Sequence, residues 1–489
     1  MGRHTRAPRI LVVGGGYVGM YTALRLQRRL RPGEATVTVV EPNSYMTYQP
    51  FLPEAAAGSL EPRHVVVPLR RVLSGCEIIN ARVVSVTHAR RTALIRPLIG
   101  PDREINYDIL VMCPGSVART LPIPGLAEMG IGFKNVAEAI YLRNRVLNRL
   151  DAAASVSDPA LRRRALTFLF IGGGYAGVEA LAELEDMARD ACSYYPDLGP
   201  GEMRWVLVEA SGRILPEVSP AMGLYTLKQL EHRGIEVLLR TRVTSLLGGH
   251  VVLDSGEEFD ADTVVWTAGV KAHPVLTHTD LPLDERGRLR ATAFLEVDGV
   301  ADAWTAGDCA AIPDLTKNVE GATTAPSAQH AVRQARRLAD NLMAQLRGQP
   351  IEPYAHRYVG SVATLGLHKG VAEVRGVRLR GWPAWFMHRT YHLSRLPTFN
   401  RKIRVVTDWT LALLHRRETV SLGSLADPRA EFRRVAVSAG ARPADAGAAD
   451  TGAAAEARGA LGGREYERAS AAAGSGGEEV GAGRPRRGR

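Results

Sequence analysis

Short hydrophobic runs recur along this chain, each followed by glycines and then by apolar positions at helical spacing. Arg9 to Val13 is such a run, suited to a strand buried on both faces, and MYTALRLQRRL after it has the period of an amphipathic helix. TVTVVEPN then supplies a second strand that ends on an acid, so the opening of the chain reads as a βαβ unit. A meander of short strands follows (ARVVSVTH, RTALIRP, YDILVMCPGS), and a charged helical connector covers about residues 135–155. The pattern then begins again. ALTFLFIGGG, a helix from Val178 and WVLVEAS form a second unit, and GIEVLLRTRVTSL, GHVVLDSG and DTVVWTAGV repeat the meander.

This duplication predicts an α/β chain with two Rossmann-like dinucleotide-binding domains, the second inserted into the first. The first domain would run over residues 8–120, pass through a connector at 121–160, and resume at 291–350 after the second domain at 161–290. A helix is expected from Ala325 to Gln345. A C-terminal docking unit at 351–424 would hold a few strands and two short helical stretches rich in Trp and Arg. From about 425 to 489 Ala, Gly, Arg and Glu dominate with almost no aromatics, a composition that predicts disorder.

The glycines carry the first chemistry. Gly14, Gly16 and Gly19 fit G-x-G-x-x-G between a strand and a helix, where they make a tight turn, admit a pyrophosphate to the backbone and let the helix pack closely. Glu41 closes the next strand, 22 residues after Gly19, where a carboxylate binds ribose hydroxyls. Gly172, Gly174 and Gly177 repeat the loop, and Glu209 closes the second strand 32 residues on. A carboxylate there bonds a free 2′-hydroxyl and repels a 2′-phosphate, so NADH is expected over NADPH, with Arg213 as the base able to compensate.

Two nucleotide folds in one chain imply that one nucleotide passes electrons to the other, with FAD expected in the N-terminal fold. TAGDCA, residues 305–310, suits a segment whose Asp308 bonds the flavin side chain, and VMCPGS and VWTAGV end their meanders with the small residues that close approach to a dinucleotide needs.

Charge and cysteines narrow the picture. The formal net charge is +11, and residues 375–417 alone contribute +9, from ten bases against the single acid Asp408. That window also holds Trp382, Trp385 and Trp409. Trp382, Trp385, Phe386, Arg389 and Leu393 recur at helical spacing, a composition suited to a helix lying in the interface of an anionic bilayer. A helix pair joining two copies in a homodimer and a nucleic-acid patch are the other readings, and no nucleic acid is expected. Cys76, Cys113, Cys192 and Cys309 show no CxxC pair and no metal spacing, so no metal and no redox disulfide are expected. The N-terminal apolar stretch is too short for a signal-peptide core, and no apolar run is long enough to span a bilayer.

Residues 8–415 resemble the type II NADH dehydrogenases, single-chain NADH:quinone oxidoreductases that pump no protons. YQPFLPEAAAG (48–58), APSAQHAVRQA (325–335) and LGLHKGVAEV followed by the Trp and Arg helices carry the resemblance. It implies FAD held by Gly14, Gly16, Tyr17, Gly19, Glu41, Asn43, Val83, Gly115 and Asp308, and NADH facing Gly172, Gly174, Gly177, Glu209, Ala268 and Gly269. It further implies a quinone, menaquinone or ubiquinone, at Ala328 and Gln329, beside His330 and Arg333 of the same helix. Lys369 would stand near the flavin and Glu179. Glu179 would position the nicotinamide or join a proton path with Lys369, or else only add favourable charge to the first turn of its helix. The implied location is peripheral, on the cytoplasmic face of the cell membrane, with Trp382, Trp385, Arg389 and Trp409 in contact with lipid. A flavin reductase with a soluble acceptor and a redox-sensing or DNA-interacting flavoprotein are the alternatives.

Overall fold

The computed structural model describes residues 6–356, 359–415, 417–423 and 427–438. Strand Arg9–Val13, buried but for its first residue, lies at the centre of a five-stranded parallel sheet in the order 303–305, 109–112, 9–13, 36–40, 77–79. The outermost strand, Ala303–Thr305, pairs with Ile109–Met112, so the chain does return to its first sheet after building the second. Helix Tyr17–Arg29 packs against helix Ala328–Leu346. Arg25 grips Asp340 through two guanidinium nitrogens, and the Thr22 hydroxyl donates to the Ala335 carbonyl. The second helix begins at Ala328 because the Ser327 side chain caps it by accepting from the His330 amide.

The second parallel sheet has the order 130–132, 263–266, 167–171, 204–209, 235–239. Its edge strand Gly130–Gly132 comes from the connector, just ahead of helix Val136–Ser155, which a reciprocal Asn135–Glu138 capping box starts. Helix Tyr175–Ala191 follows the second glycine loop. It begins three residues before the expected Val178, because Gly174 is already its N-cap. Strands Ser116–Ala118 and Val270–Ala272 pair antiparallel and tie the two sheets' units together.

The C-terminal unit is an antiparallel sheet of Gly360–Thr364, Gly370–Val374 and Val377–Arg380, then helices Trp382–Arg395 and Phe399–Leu414. Its buried side chains join the same core as helix Tyr175–Ala191 and the short helix Leu52–Ala56. Most of the tail lies outside the described residues. Within them, helix Ala430–Ser438 stands where the composition predicted disorder.

Candidate active site

Both glycine loops are built the same way. At Gly14 (φ +99°) and Gly172 (φ +112°) the backbone takes the left-handed turn out of the strand, and a Cβ there would meet the carbonyl of Cys113 or Thr267. A side chain on Gly19 or Gly177 would collide with the carbonyl of Gly14 or Gly172, so these positions set how closely the helix meets its loop. Gly16 and Gly174 border open space, where the unpaired amides of each helix's first turn suit a pyrophosphate.

The strand-ending acids match as well. Glu41 accepts the Gly15 amide at 2.7 Å and the Asn43 amide at 3.1 Å; Glu209 accepts the Gly173 amide at 2.6 Å and the Ser211 amide at 2.7 Å. Burial raises the Glu41 pKa against the pull of those amides. Arg213 is occupied elsewhere, donating to the carbonyls of Leu215, Pro216 and Val218. Val83 sits at a bulge in strand Ala81–Thr87 and packs on the first core. Ala268 packs on the core of the second sheet. Gly115 and Gly269, both at positive φ, immediately precede the paired strands Ser116–Ala118 and Val270–Ala272, which brings VMCPGS and VWTAGV together.

Asp308 is part of a cluster that sequence reasoning missed. Its Oδ2 accepts the Ser116 hydroxyl at 2.6 Å, and Lys134 Nζ lies 2.5 Å from the same hydroxyl. Burial lowers the Lys134 pKa while Asp308 and Glu138 oppose the shift. Lys134 stands alone in GFKN with no spacing to mark it. Gly307 and Asp308 line a cleft of about 620 Å³ together with Arg119, Lys271, Arg288 and Pro326, a mixture of bases and one acid suited to a phosphate-bearing, polyhydroxylated cofactor. The Tyr17 hydroxyl, on the first residue of the loop helix, is buried without a hydrogen-bond partner, an orphan that a bound group would satisfy. These residues fit a flavin dinucleotide. Cys113 and Cys309 are buried and free, and burial pushes the Cys309 thiol up to about 11 and that of Cys113 well above its usual value, which disfavours reactive thiolates.

Glu179 is buried in the second turn of its helix, so the expectation of a first-turn charge is corrected. Its Oε1 accepts the Thr364 amide at 3.0 Å and lies 3.4 Å from His388 Nε2. Lys369 does not reach it: the ammonium lies 3.7 Å from Asp186, two helical turns further along. Between them Glu183 accepts the Thr364 hydroxyl at 2.7 Å, and Arg417 stands 3.7 Å from Glu183 and 3.6 Å from Asp186. Burial raises the Glu183 pKa, with Arg417 opposing. Gln329, beside Ala328 at the start of its helix, donates to the Gly360 carbonyl at 3.3 Å and meets His356 Nε2 at 3.2 Å. His330 turns inward to Tyr354, 2.9 Å away, and Arg333 donates to the Gln329 carbonyl.

The lipid-facing residues need correction. Trp385 and Arg389 are each 5% exposed and Trp409 9%; of the four only Trp382, at 55%, faces outward. Arg389 lies 4.0 Å over the Trp385 ring and 4.9 Å over that of Trp409, and pairs with Glu54 at 2.8 Å. The Trp409 indole donates to the same carboxylate oxygen at 2.7 Å. Helical spacing identified a stripe, but a buried acid in YQPFLPEAAAG turns it inward. The outward face of helix Phe399–Leu414 is instead Phe399, Ile403, Val406 and Leu413, with Trp382 and Phe386 exposed on the preceding helix.

Residues 8–335 match the family model described as pyridine nucleotide-disulphide oxidoreductase. The chain is 30% identical over 387 residues to the type II NADH:quinone oxidoreductase of Staphylococcus epidermidis, covering 78% of this chain and 93% of that one. It is 27% identical over 426 residues to the type II NADH:quinone oxidoreductase Ndh of Mycobacterium tuberculosis, covering 84% and 89%. The fold superposes on that of Plasmodium falciparum NDH2, solved in complex with NADH, with a TM-score of 0.78 at 17% identity over 85% of this chain and all of that one. The chain belongs to the pyridine nucleotide-disulphide oxidoreductase family and, within it, to the type II NADH:quinone oxidoreductases.

Proposed function

We propose that this protein oxidises NADH and reduces a membrane quinone through bound FAD, without moving protons across the membrane. The observation that carries the reading is the pair of matched glycine loops, each closed by a carboxylate, whose domains meet at Ser116–Ala118 and Val270–Ala272. Bound FAD would supply the two-electron chemistry that links NADH to quinone.

The chain's own residues bind and orient. The amides after Gly16 and Gly174 hold phosphates, Glu41 and Glu209 hold riboses, and Asp308 with Ser116 and Lys134 holds the polyol end of the flavin. Glu179, fixed by the Thr364 amide, positions the nicotinamide side and exchanges protons there. Lys369 acts through Asp186 at the outer end of the same acidic row. Ala328 and Gln329 border the quinone, with His356 holding the Gln329 amide in orientation.

Docking to an anionic bilayer rests on the exposed stripe Phe399, Ile403, Val406 and Leu413, flanked by Arg401, Lys402 and Arg404. Among the described residues no helix is long and apolar enough to cross a membrane; the proposed attachment is peripheral, at the cytoplasmic face. Steady-state NADH oxidation with and without a quinone tests the function. Many-fold stimulation by quinone is expected; equal rates would favour a soluble acceptor or a redox sensor. Salt-dependent binding to anionic liposomes tests the docking, and a homodimer buried on the same stripe or DNA binding in its place would overturn it.

A further inference from the structure

Glu179 and Tyr48 meet the same face of helix Trp382–Arg395 one turn apart, through two histidines at i and i+4 on that face. His388, 1% exposed, has Nε2 3.4 Å from Glu179 Oε1, and its ring meets that of His392 edge-on with centroids 4.6 Å apart. His392 Nδ1 lies 3.2 Å from the Tyr48 hydroxyl, and the Tyr48 ring is 6.1 Å from that of Tyr17, the first residue of the flavin-loop helix. On the other side of Glu179, Thr364 links the carboxylate to Glu183, and Asp186 and Lys369 reach solvent beyond it.

A row of ionisable groups therefore lies between the surface at Lys369 and Tyr48, beside the flavin-loop helix. Between the two histidines the open point is His388 Nδ1, a buried nitrogen with no hydrogen-bond partner. The edge contact of the two rings, 4.6 Å between centroids, spans it.

Resting on the NADH:quinone reading, we propose that His388 and His392 form a proton relay between Glu179 and Tyr48 that delivers the solvent proton consumed in quinone reduction. The overall reaction, NADH + H⁺ + quinone → NAD⁺ + quinol, needs one such proton in each turnover. No electrons travel along the relay. The O–H bond of protonated Glu179 breaks as an N–H bond forms at His388 Nε2. His388 then releases its Nδ1 proton towards His392, and His392 Nδ1 hands one to the Tyr48 oxygen as the Tyr48 O–H proton moves on to the quinone side. Solvent protons entering by way of Asp186 and Glu183 refill Glu179, while Thr364 holds the two glutamates in place through its amide and its hydroxyl.

The charged and titratable groups around the two rings are Glu179 from the NADH-domain helix, Tyr48 from the segment ahead of Leu52–Ala56, and Tyr391 and Arg395 from their own helix. Burial, then His388 and Arg395, hold the His392 pKa well below its usual value, so this ring passes protons as a neutral imidazole.

The test uses the FAD-loaded full chain and a soluble quinone analogue, with His388→Ala and His388→Gln measured beside the parent protein. The expected result is a fall of roughly tenfold or more in quinone turnover, within the range for loss of a proton-transfer group. A larger solvent deuterium effect, a displaced pH profile and recovery of the alanine variant by added imidazole should accompany it, while anaerobic flavin reduction by NADH changes less than about twofold. Unchanged turnover, or an equal fall in both half-reactions without imidazole recovery, would overturn the relay. Should His388→Ala fail to fold, the same readouts on His388→Gln and His392→Gln decide. A parent protein whose NADH oxidation ignores quinone overturns the functional reading itself, a result distinguishable from failure of the relay alone.

Discussion

Thr364 donates its backbone amide to Glu179 Oε1 across 3.0 Å, so a strand of the C-terminal unit fixes the carboxylate that follows the second nucleotide loop. Glu179→Gln keeps an oxygen to accept that amide and removes the exchangeable acid. Quinone turnover should drop roughly tenfold to a hundredfold while FAD content and thermal stability stay close to those of the parent. Stopped-flow and steady-state assays on the purified holoprotein provide the check, and unchanged turnover would leave Glu179 a structural acceptor.

The Arg389–Glu54 pair is enclosed between Trp385 and Trp409. Arg389→Met strands a buried carboxylate and should cost about 3–5 kcal/mol of stability; Glu54→Gln combined with Arg389→Met should recover much of the loss. Chemical denaturation of the single and double variants measures both.

Lipid attachment should follow the outward stripe and not the tryptophans of the core. Replacing Phe399 and Ile403 with Ser should abolish sedimentation with anionic vesicles while activity with a water-soluble quinone analogue persists. Trp385→Ala should lower the melting temperature. Retained vesicle binding in the double Ser variant would place the contact elsewhere.

Cofactor preference should favour NADH over NADPH by at least about tenfold in kcat/KM, because Glu209 opposes a 2′-phosphate and Arg213 is spent on three backbone carbonyls. Glu209→Gln should narrow that ratio. A parent enzyme that uses both nucleotides equally contradicts the assignment.

His356 gives a pH dependence with a definite sign. Burial, then Arg333 and His330, lower its pKa from 6.5 to about 4, so the unfolded chain takes up a proton first as the solution is acidified. Its contribution is complete above pH 6.5 and is lost as pH falls towards about 4. Melting curves across that window should be flatter for His356→Gln than for the parent. Identical slopes would assign the acid sensitivity to other histidines.

The parts of the site legible in the sequence are those made by near neighbours. Gly14, Gly16 and Gly19 with Glu41, and the same set ending at Glu209, belong to single strand-loop-helix-strand units, so spacing alone locates them. Lys134 beside Ser116 and Asp308, or His388 beside Glu179, arises where separate units meet, and no local period encodes that meeting. The Trp and Arg stripe shows the limit of periodicity. Spacing reveals that Trp385, Arg389 and Leu393 share a helix face, but only the buried Glu54 opposite decides that the face turns inward. The return of the chain to its first sheet was legible because Ala303–Thr305 precedes GDCA, a glycine turn at a strand end.

The contact of Glu54 with both Arg389 and Trp409 has a practical meaning for handling the protein. A peripheral enzyme is often imagined as a soluble body with a detachable anchor, yet here the two C-terminal helices proposed to dock seal the interior at that carboxylate. Cutting the chain before residue 382 would expose that interior to water. A detergent-free preparation is better sought by changing Phe399, Ile403, Val406 and Leu413 on the outer face than by truncation.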